Sequence, residues 1–368
     1  MTKTKPSLSA NDFSNSETTT MTVSWLEFLK NSGAVVEHDR VISFTSFPNP
    51  GDETGRTCLC ELTNLGLIHA SGDDTESFLH SQFTNDLHQV TTHLSQLSSY
   101  CNPKGRILCI FRIFKRDEDY YLILPKDVLQ LALQKLALYK LRSKVELFDK
   151  SDQLVLFGIA GPETESTLNH MGIDFPENDD ECLTDDGVTV IRVPGVSTRA
   201  LFVCTPERAI SLWKSFSDVL PCMTYRVWDQ HDILSGIPQV TANTMETFTP
   251  QMTNLELVNG VSFTKGCYPG QEVVARTHYL GKPNRRMYRA AITAGQAPEP
   301  GTNIFSLTTG NQAIGKVVVS QMVSKGSAIA LVVLRSDMHQ SPDLHIQSTT
   351  GPDVSIQKLP YSLLVQSV

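Results

Sequence analysis

The sequence predicts an α+β fold with antiparallel sheets, and two observations carry that reading. Two separate stretches repeat the same order of hairpin, proline and helix, and the helical signal fades from Met287 onward into strands separated by Gly, Pro, Asn and Ser. Duplicated hairpin-helix units imply two related halves, not a doubly wound parallel sheet. The strand-rich end implies a small β-barrel or sandwich.

Each element follows in order. Residues 1–23 are rich in Ser, Thr, Asn and Lys without an apolar run, which fits a disordered tail better than a signal peptide. Ser24 to Leu29 opens a short amphipathic helix, and Gly51 to Arg56 reads as a loop. Asp73 to Leu79 starts a helix at which Ser71 and the two carboxylates are expected to cap free amides, a sufficient reason for acids there without a catalytic pair. The first repeated unit runs Ile107 to Phe114, a turn at Lys115 to Asp119, Tyr120 to Leu124, then Pro125 opening a helix to about Leu141. The second runs Val188 to Val193, a turn at Pro194 to Ser197, Ala200 to Cys204, then Pro206 opening a helix to about Phe216. In both, the proline stands where its missing N–H costs nothing. Tyr225 to Leu234 reads as a helix, and Ile314 to Val319 and Ala328 to Val333 as strands.

The chain has 368 residues, a formal net charge of −8 and 40% hydrophobic residues, with a pI near 5.7. Folding a chain of this length hides roughly three quarters of its surface, enough for two or three cores. Eight cysteines at irregular spacing, without a CxxC pair, read as reduced thiols and point to the cytoplasm. The longest apolar stretch, around Ala328 to Leu334, is too short to span a bilayer, so no membrane role is expected. The acidic balance argues against broad nucleic-acid coating but leaves room for a local basic patch.

No nucleotide-binding glycine loop, zincin helix, nucleophile elbow or zinc-type Cys/His spacing is found, so no metal site is expected. The ten histidines lack i, i+4 pairing, and His278 alone is retained for its position beside the segment Lys265-Gly266-Cys267-Tyr268-Pro269-Gly270-Gln271-Glu272. Two glycines and a proline bend the chain sharply there, and Gln271 to Arg276 has helix composition. Cys267 thus precedes a helix start, where the dipole, with Lys265 and Arg276, favours a thiolate. A buried, inert cysteine in a Gly-Pro turn satisfies the same composition, and spacing does not decide between them. Downstream, Arg276, Lys282, Arg285 and Arg286 fall within eleven residues without an acid, either a solvated loop or a phosphate-receiving patch.

At these residues the sequence resembles the YgfZ family of folate-binding proteins related to the glycine-cleavage T-protein. Besides Lys265 to Glu272 and Arg276, Phe78 to Leu87, Asn102-Pro103-Lys104-Gly105-Arg106, Pro250 to Leu255 and Leu359 to Leu363 are similar to family segments, so the resemblance covers roughly Trp25 to Leu363. It implies a ring of two ferredoxin-like α+β lobes and a C-terminal β-barrel, divided here as a tail over 1–23, a first lobe over 24–145, a second over 146–284 and the barrel over 285–368. It also implies tetrahydrofolate, or a one-carbon derivative, in the central opening. As partners it implies iron–sulfur proteins such as tRNA-modifying enzymes, with tRNA itself reached through the basic patch.

Cys267 matches the family's functional cysteine, with Lys265 and Arg276 orienting or tuning it. Trp228, eight residues before Gly236, matches a tryptophan implicated in folate binding, while Leu65 stands where relatives carry a second one. Tyr268, Gln271 and Glu272 are the further candidate folate contacts. Core packing on the Tyr225 helix is the competing reading of Trp228. Near Leu234 this chain lacks a glutamate that relatives can carry. The T-protein's acidic pair after its glycine turn is replaced by Ile107-Leu108-Cys109, which lowers the expectation of aminomethyl transfer. The function expected is a folate-binding accessory protein for iron–sulfur assembly or repair and tRNA modification. The alternatives are folate-dependent one-carbon transfer and an RNA- or protein-docking module with a vestigial folate pocket.

Overall fold

The computed structural model describes residues 24–46, 54–280 and 283–363. The tail and the first half of the Gly51 to Arg56 loop, residues 51–53, lie outside the described residues. The chain forms the α+β architecture expected, with three principal sheets.

The first sheet is antiparallel, in the order Gln96–Cys101, Ile107–Arg116, Asp119–Pro125, Leu65–Ser71, Glu146–Asp149. Ile107 to Phe114 is buried at every position, which explains its nearly unbroken apolar sequence. Helices Thr75–Gln82 and Lys126–Lys140 cover one face, burying Phe78, Leu79, Val128 and Leu136 against Ile68, Phe111 and Leu122. At the Thr75 helix the acids act differently from the sequence expectation. Asp74 makes no side-chain cap; its Oδ2 accepts from the Lys144 amide at 2.8 Å, and Asp73 pairs with the Lys144 ammonium at 3.0 Å, while Ser71 ends the preceding strand.

The second sheet runs Cys182–Asp185, Val188–Arg192, Arg199–Cys204, Val155–Ala160, Cys58–Glu61, Cys222–Met223, antiparallel except for the last pair. Helix Pro206–Ser217 follows its hairpin, as Lys126–Lys140 follows that of the first sheet. One boundary is corrected here. Strand Cys58–Glu61 and helix Trp25–Asn31 precede the first sheet in sequence but belong to the second lobe, where Trp25 meets Trp213 edge to face at 5.3 Å and Phe28 and Leu29 join its core. A four-residue strand with every side chain buried needs partners on both edges, and Val155–Ala160 and Cys222–Met223 supply them.

The third sheet is antiparallel, with Leu344–Ile346, Asn303–Ser306, Gly315–Ser324, Ser327–Arg335, Arg285–Ile292 and Val354–Gln357 in order, and a bridge from His345 to Asp353 nearly closes it into a barrel. Helix Tyr225–Ser235 holds the three bodies together. Val227 and Trp228 pack in the core between the first two sheets, with Leu67, Phe114, Ile123, Leu156 and Leu201, whereas Ile233 packs on the barrel beside Met287, Val318 and Leu331. Among the described residues no helix is long and apolar enough to cross a membrane.

Candidate functional site

Helix Tyr225–Ser235 carries polar side chains into the interior: Asp229, Gln230, His231 and Asp232 are all buried. The Arg199 guanidinium, itself fully buried, donates to Asp232 Oδ1 at 2.6 Å and lies 4.9 Å from the centre of the Trp228 ring. Gln239 Nε2 donates to Asp232 Oδ2 at 3.0 Å. Gly158, on the Val155–Ala160 strand, leaves room for the indole; a Cβ there would overlap its six-membered ring. Trp228, Asp232 and Gln239 line a cavity of about 80 Å³ together with Leu65, Ile123 and Arg112 among others. A neighbouring cavity of about 210 Å³ shares Leu97, Arg112 and Ile237 with it and extends to Asp180, Ser235 and Tyr361.

The two candidates for the aromatic positions, Trp228 and Leu65, are thus brought together across the sequence to line one cavity. Trp228 is only 4% exposed, so core packing accounts for most of its surface as well. Asp232, Arg112 and Arg199 were not anticipated. The available signal was four consecutive polar residues, Asp229 to Asp232, in a helix flanked by Val227-Trp228 and Ile233-Leu234. Desolvation, then the charge of Asp232, raises the Asp229 carboxyl to about 8.

The cysteine segment forms a second cluster. Tyr268 O accepts from the Gln271 amide at 3.1 Å, and helix Gln271–Leu280 follows the turn. Cys267 stands just before it, as the spacing suggests, and is exposed, a choice that the spacing left open. Lys265 has a different position from a simple charge beside the thiol: buried, its Nζ donates to the carbonyls of Phe83, at 2.7 Å, and His80. It thereby satisfies carbonyls at the C-terminal end of helix Thr75–Gln82. Burial pulls its ammonium down to about 8, against the opposing charges of Asp86 and Cys267. Tyr268 is buried beneath that ammonium, 5.2 Å from ring centre to Nζ, and burial raises its phenol. Glu272 and Arg276 are exposed and Gln271 half-buried; neither they nor Tyr268 line the two cavities. His278 stacks on Phe263 at 3.6 Å between ring centres.

The basic patch is corrected by the fold. Arg286 is buried and paired with Glu256, Arg285 donates to the Ile314 carbonyl at 2.9 Å, and Lys282 lies outside the described residues. Arginines on a strand alternate between faces, so a run close in sequence does not form one surface.

Comparison with known proteins places this geometry in a family. A sequence model described as the GCVT N-terminal domain matches residues 54–203. The chain is 33% identical over 316 residues to the tRNA-modifying protein YgfZ of Photobacterium profundum, covering 85% of this chain and 94% of the relative. It is 32% identical over 307 residues to the protein of that name from Photorhabdus laumondii, covering 83% and 92%. The crystal structure of glycine cleavage system aminomethyltransferase T from Bartonella henselae superposes with a TM-score of 0.74 over 91% of this chain and 96% of the other, at 15% identity, a likeness of fold. With a third of the aligned residues identical over nearly the whole length of a curated relative, the chain belongs to the YgfZ family.

Proposed function

We propose that this protein binds tetrahydrofolate, or a one-carbon derivative, and supports iron–sulfur cluster assembly or repair and iron–sulfur-dependent tRNA modification through the thiol of Cys267. The observation that carries the reading is the exposure of Cys267, alone among eight cysteines, in a chain whose relatives are named tRNA-modifying proteins. A thiol must be reachable to meet a partner, and burial raises the thiols of Cys101, Cys109 and Cys204 to about 12 and those of Cys182 and Cys222 to about 11.

The cavity beside Trp228 has a lining that matches the flat, amide-rich end of a folate, and the room for the ring has to come from its junction with the neighbouring cavity of about 210 Å³ at Leu97, Arg112 and Ile237. Leu65, Ile123 and Pro125 give apolar walls, while the Asp232 carboxylate and the Gln239 amide give an acceptor and a second polar contact. The buried Arg199 Nε has no hydrogen-bond partner and stands beside Trp228 and Asp232. When bound, tetrahydrofolate would supply a carrier for a one-carbon unit. Asp232 would orient the ring, Arg199 would fix the position of Asp232 through their hydrogen bond, and Trp228 would exclude water. Aminomethyl transfer is less well supported, because the strand after Gly105 presents buried Ile107, Leu108 and Cys109 in place of an acid.

Two experiments test the reading. Calorimetric titration with tetrahydrofolate should saturate for the wild type and weaken for Trp228→Phe; a well-folded wild type that binds none would remove folate from the proposal. Complementation of a null strain with Cys267→Ala should leave tRNA thiolation and cluster-enzyme activity impaired, and full restoration would remove the thiol.

A further inference from the structure

Lys265 reaches across to the end of helix Thr75–Gln82, and a group of side chains outside the proposed folate site meets there. His80 lies in the last turn of that helix, while Asp86 and His88 belong to the next, short helix Leu87–Gln89, which Asp86 caps by accepting from the His88 amide at 3.1 Å. The two imidazoles stack at 4.3 Å between centres, and one ligand-type atom each from His80, Asp86 and His88 lies within 4.8 Å of the others. His80 Nδ1 is buried, has no hydrogen-bond partner and stands 3.5 Å from Asp86 Oδ1.

His88 is held from behind. Its Nδ1 is 2.8 Å from Glu76 Oε1, and the other oxygen of Glu76 accepts from Tyr120 Oη at 2.7 Å. An ionised carboxylate accepts only, so Nδ1 of His88 is the donor to Glu76, which leaves Nε2 as the nitrogen that a metal ion would take. That carboxylate–histidine arrangement is the usual support behind a metal-binding imidazole.

We propose that His80, Asp86 and His88 bind a divalent first-row transition ion, with Glu76 and Tyr120 as the outer layer. Two imidazoles and one carboxylate favour zinc-type ions over Mg²⁺ or Ca²⁺, which prefer oxygen alone. Ligands about 2.0–2.2 Å from one ion stand roughly 3–4 Å apart, so rotation of these side chains closes the remaining gap. Three protein ligands leave further coordination positions open. The site adjoins the cysteine loop, since a Cβ on Gly266 would lie 3.8 Å from His80 Nε2. Folate need not bind for the inference to hold.

The test uses full-length protein without a histidine tag, stripped with chelator and titrated with Zn²⁺ by calorimetry, then with Co²⁺ by visible absorption. One saturable equivalent is expected, absent in His80→Asn and in His88→Asn, and weakened ~10–100-fold in Glu76→Gln. Circular dichroism establishes that each variant is folded, and the exposed positions of His88 and Glu76 make those two the safer pair. Binding unchanged in both histidine variants would overturn the proposal. Binding lost in Cys267→Ala but kept in the histidine variants would overturn it too, by placing the ion on the thiol. No saturable binding by the wild type would do the same.

Discussion

Gly105 and Gly270 meet backbone to backbone: a Cβ added to Gly270 would fall 2.6 Å from both Cα and N of Gly105 and 2.5 Å from the Asn102 carbonyl oxygen. Both glycines have positive φ, +69° and +83°. The turn between the first two strands of the first sheet therefore supports the bend that carries Cys267. Gly270→Ala combines a left-handed backbone with a clash against main chain, and should cost at least ~1–3 kcal/mol in urea unfolding. An unchanged midpoint would show that the loop does not depend on this contact.

Alkylation should distinguish the thiols sharply. Brief treatment of the folded protein with iodoacetamide is expected to modify Cys267 first, with half-buried Cys222 far behind because burial raises its thiol to about 11. Peptide mapping by mass spectrometry reads the order directly, and equal labelling at several cysteines would contradict the burial pattern.

The Arg199–Asp232 pair makes a stability prediction. Arg199 is fully buried and Asp232 nearly so, so Asp232→Asn leaves a guanidinium without its counter-charge. Breaking such a pair from one side costs about 3–5 kcal/mol. Denaturant unfolding of Asp232→Asn should show a loss of that order, and a loss below the range of surface substitutions would mean that water reaches the pair.

Asp229 should make the protein less stable as pH rises. Its carboxyl titrates at about 8 in the fold, against about 3.9 in an unfolded chain. Between those values the folded state keeps a proton that the unfolded state has lost, so this contribution is full in acid and is lost as pH climbs through about 8. The buried Glu61 carboxyl, also raised by desolvation, acts in the same direction. Melting temperatures from pH 5 to 9 should fall less steeply for Asp229→Asn than for the wild type; parallel curves would exclude the assignment.

The local elements were legible because their signals are local. Pro125 and Pro206 mark two helix starts, and the apolar run Ile107 to Phe114 marks a strand buried on both faces. The place of Cys267 before a helix was legible from its glycines and proline, but its exposure was not, because a buried thiol in a Gly-Pro turn satisfies the same composition. Long-range choices were hidden. Nothing in Cys58-Leu59-Cys60-Glu61 says which sheet will take it, and Arg286 looks basic until Glu256 is found beside it. His80 and His88 come together only because a turn folds one short helix back on another, a spacing that helix periodicity does not reveal.

Strand Cys58–Glu61 also sets the order in which the protein can be completed. It leaves the ribosome before any of the first sheet, yet its antiparallel partner begins at Val155 and its parallel one at Cys222. The first sheet can close from contiguous chain, while this strand waits through about a hundred residues of synthesis, a long loop whose closure slows folding. A fragment starting after Glu61 would leave one edge of Val155–Ala160 unpaired, an invitation to pair with another molecule. The two lobes are thus interlocked by a segment made early and placed late, and neither can be cut from the chain at a single site.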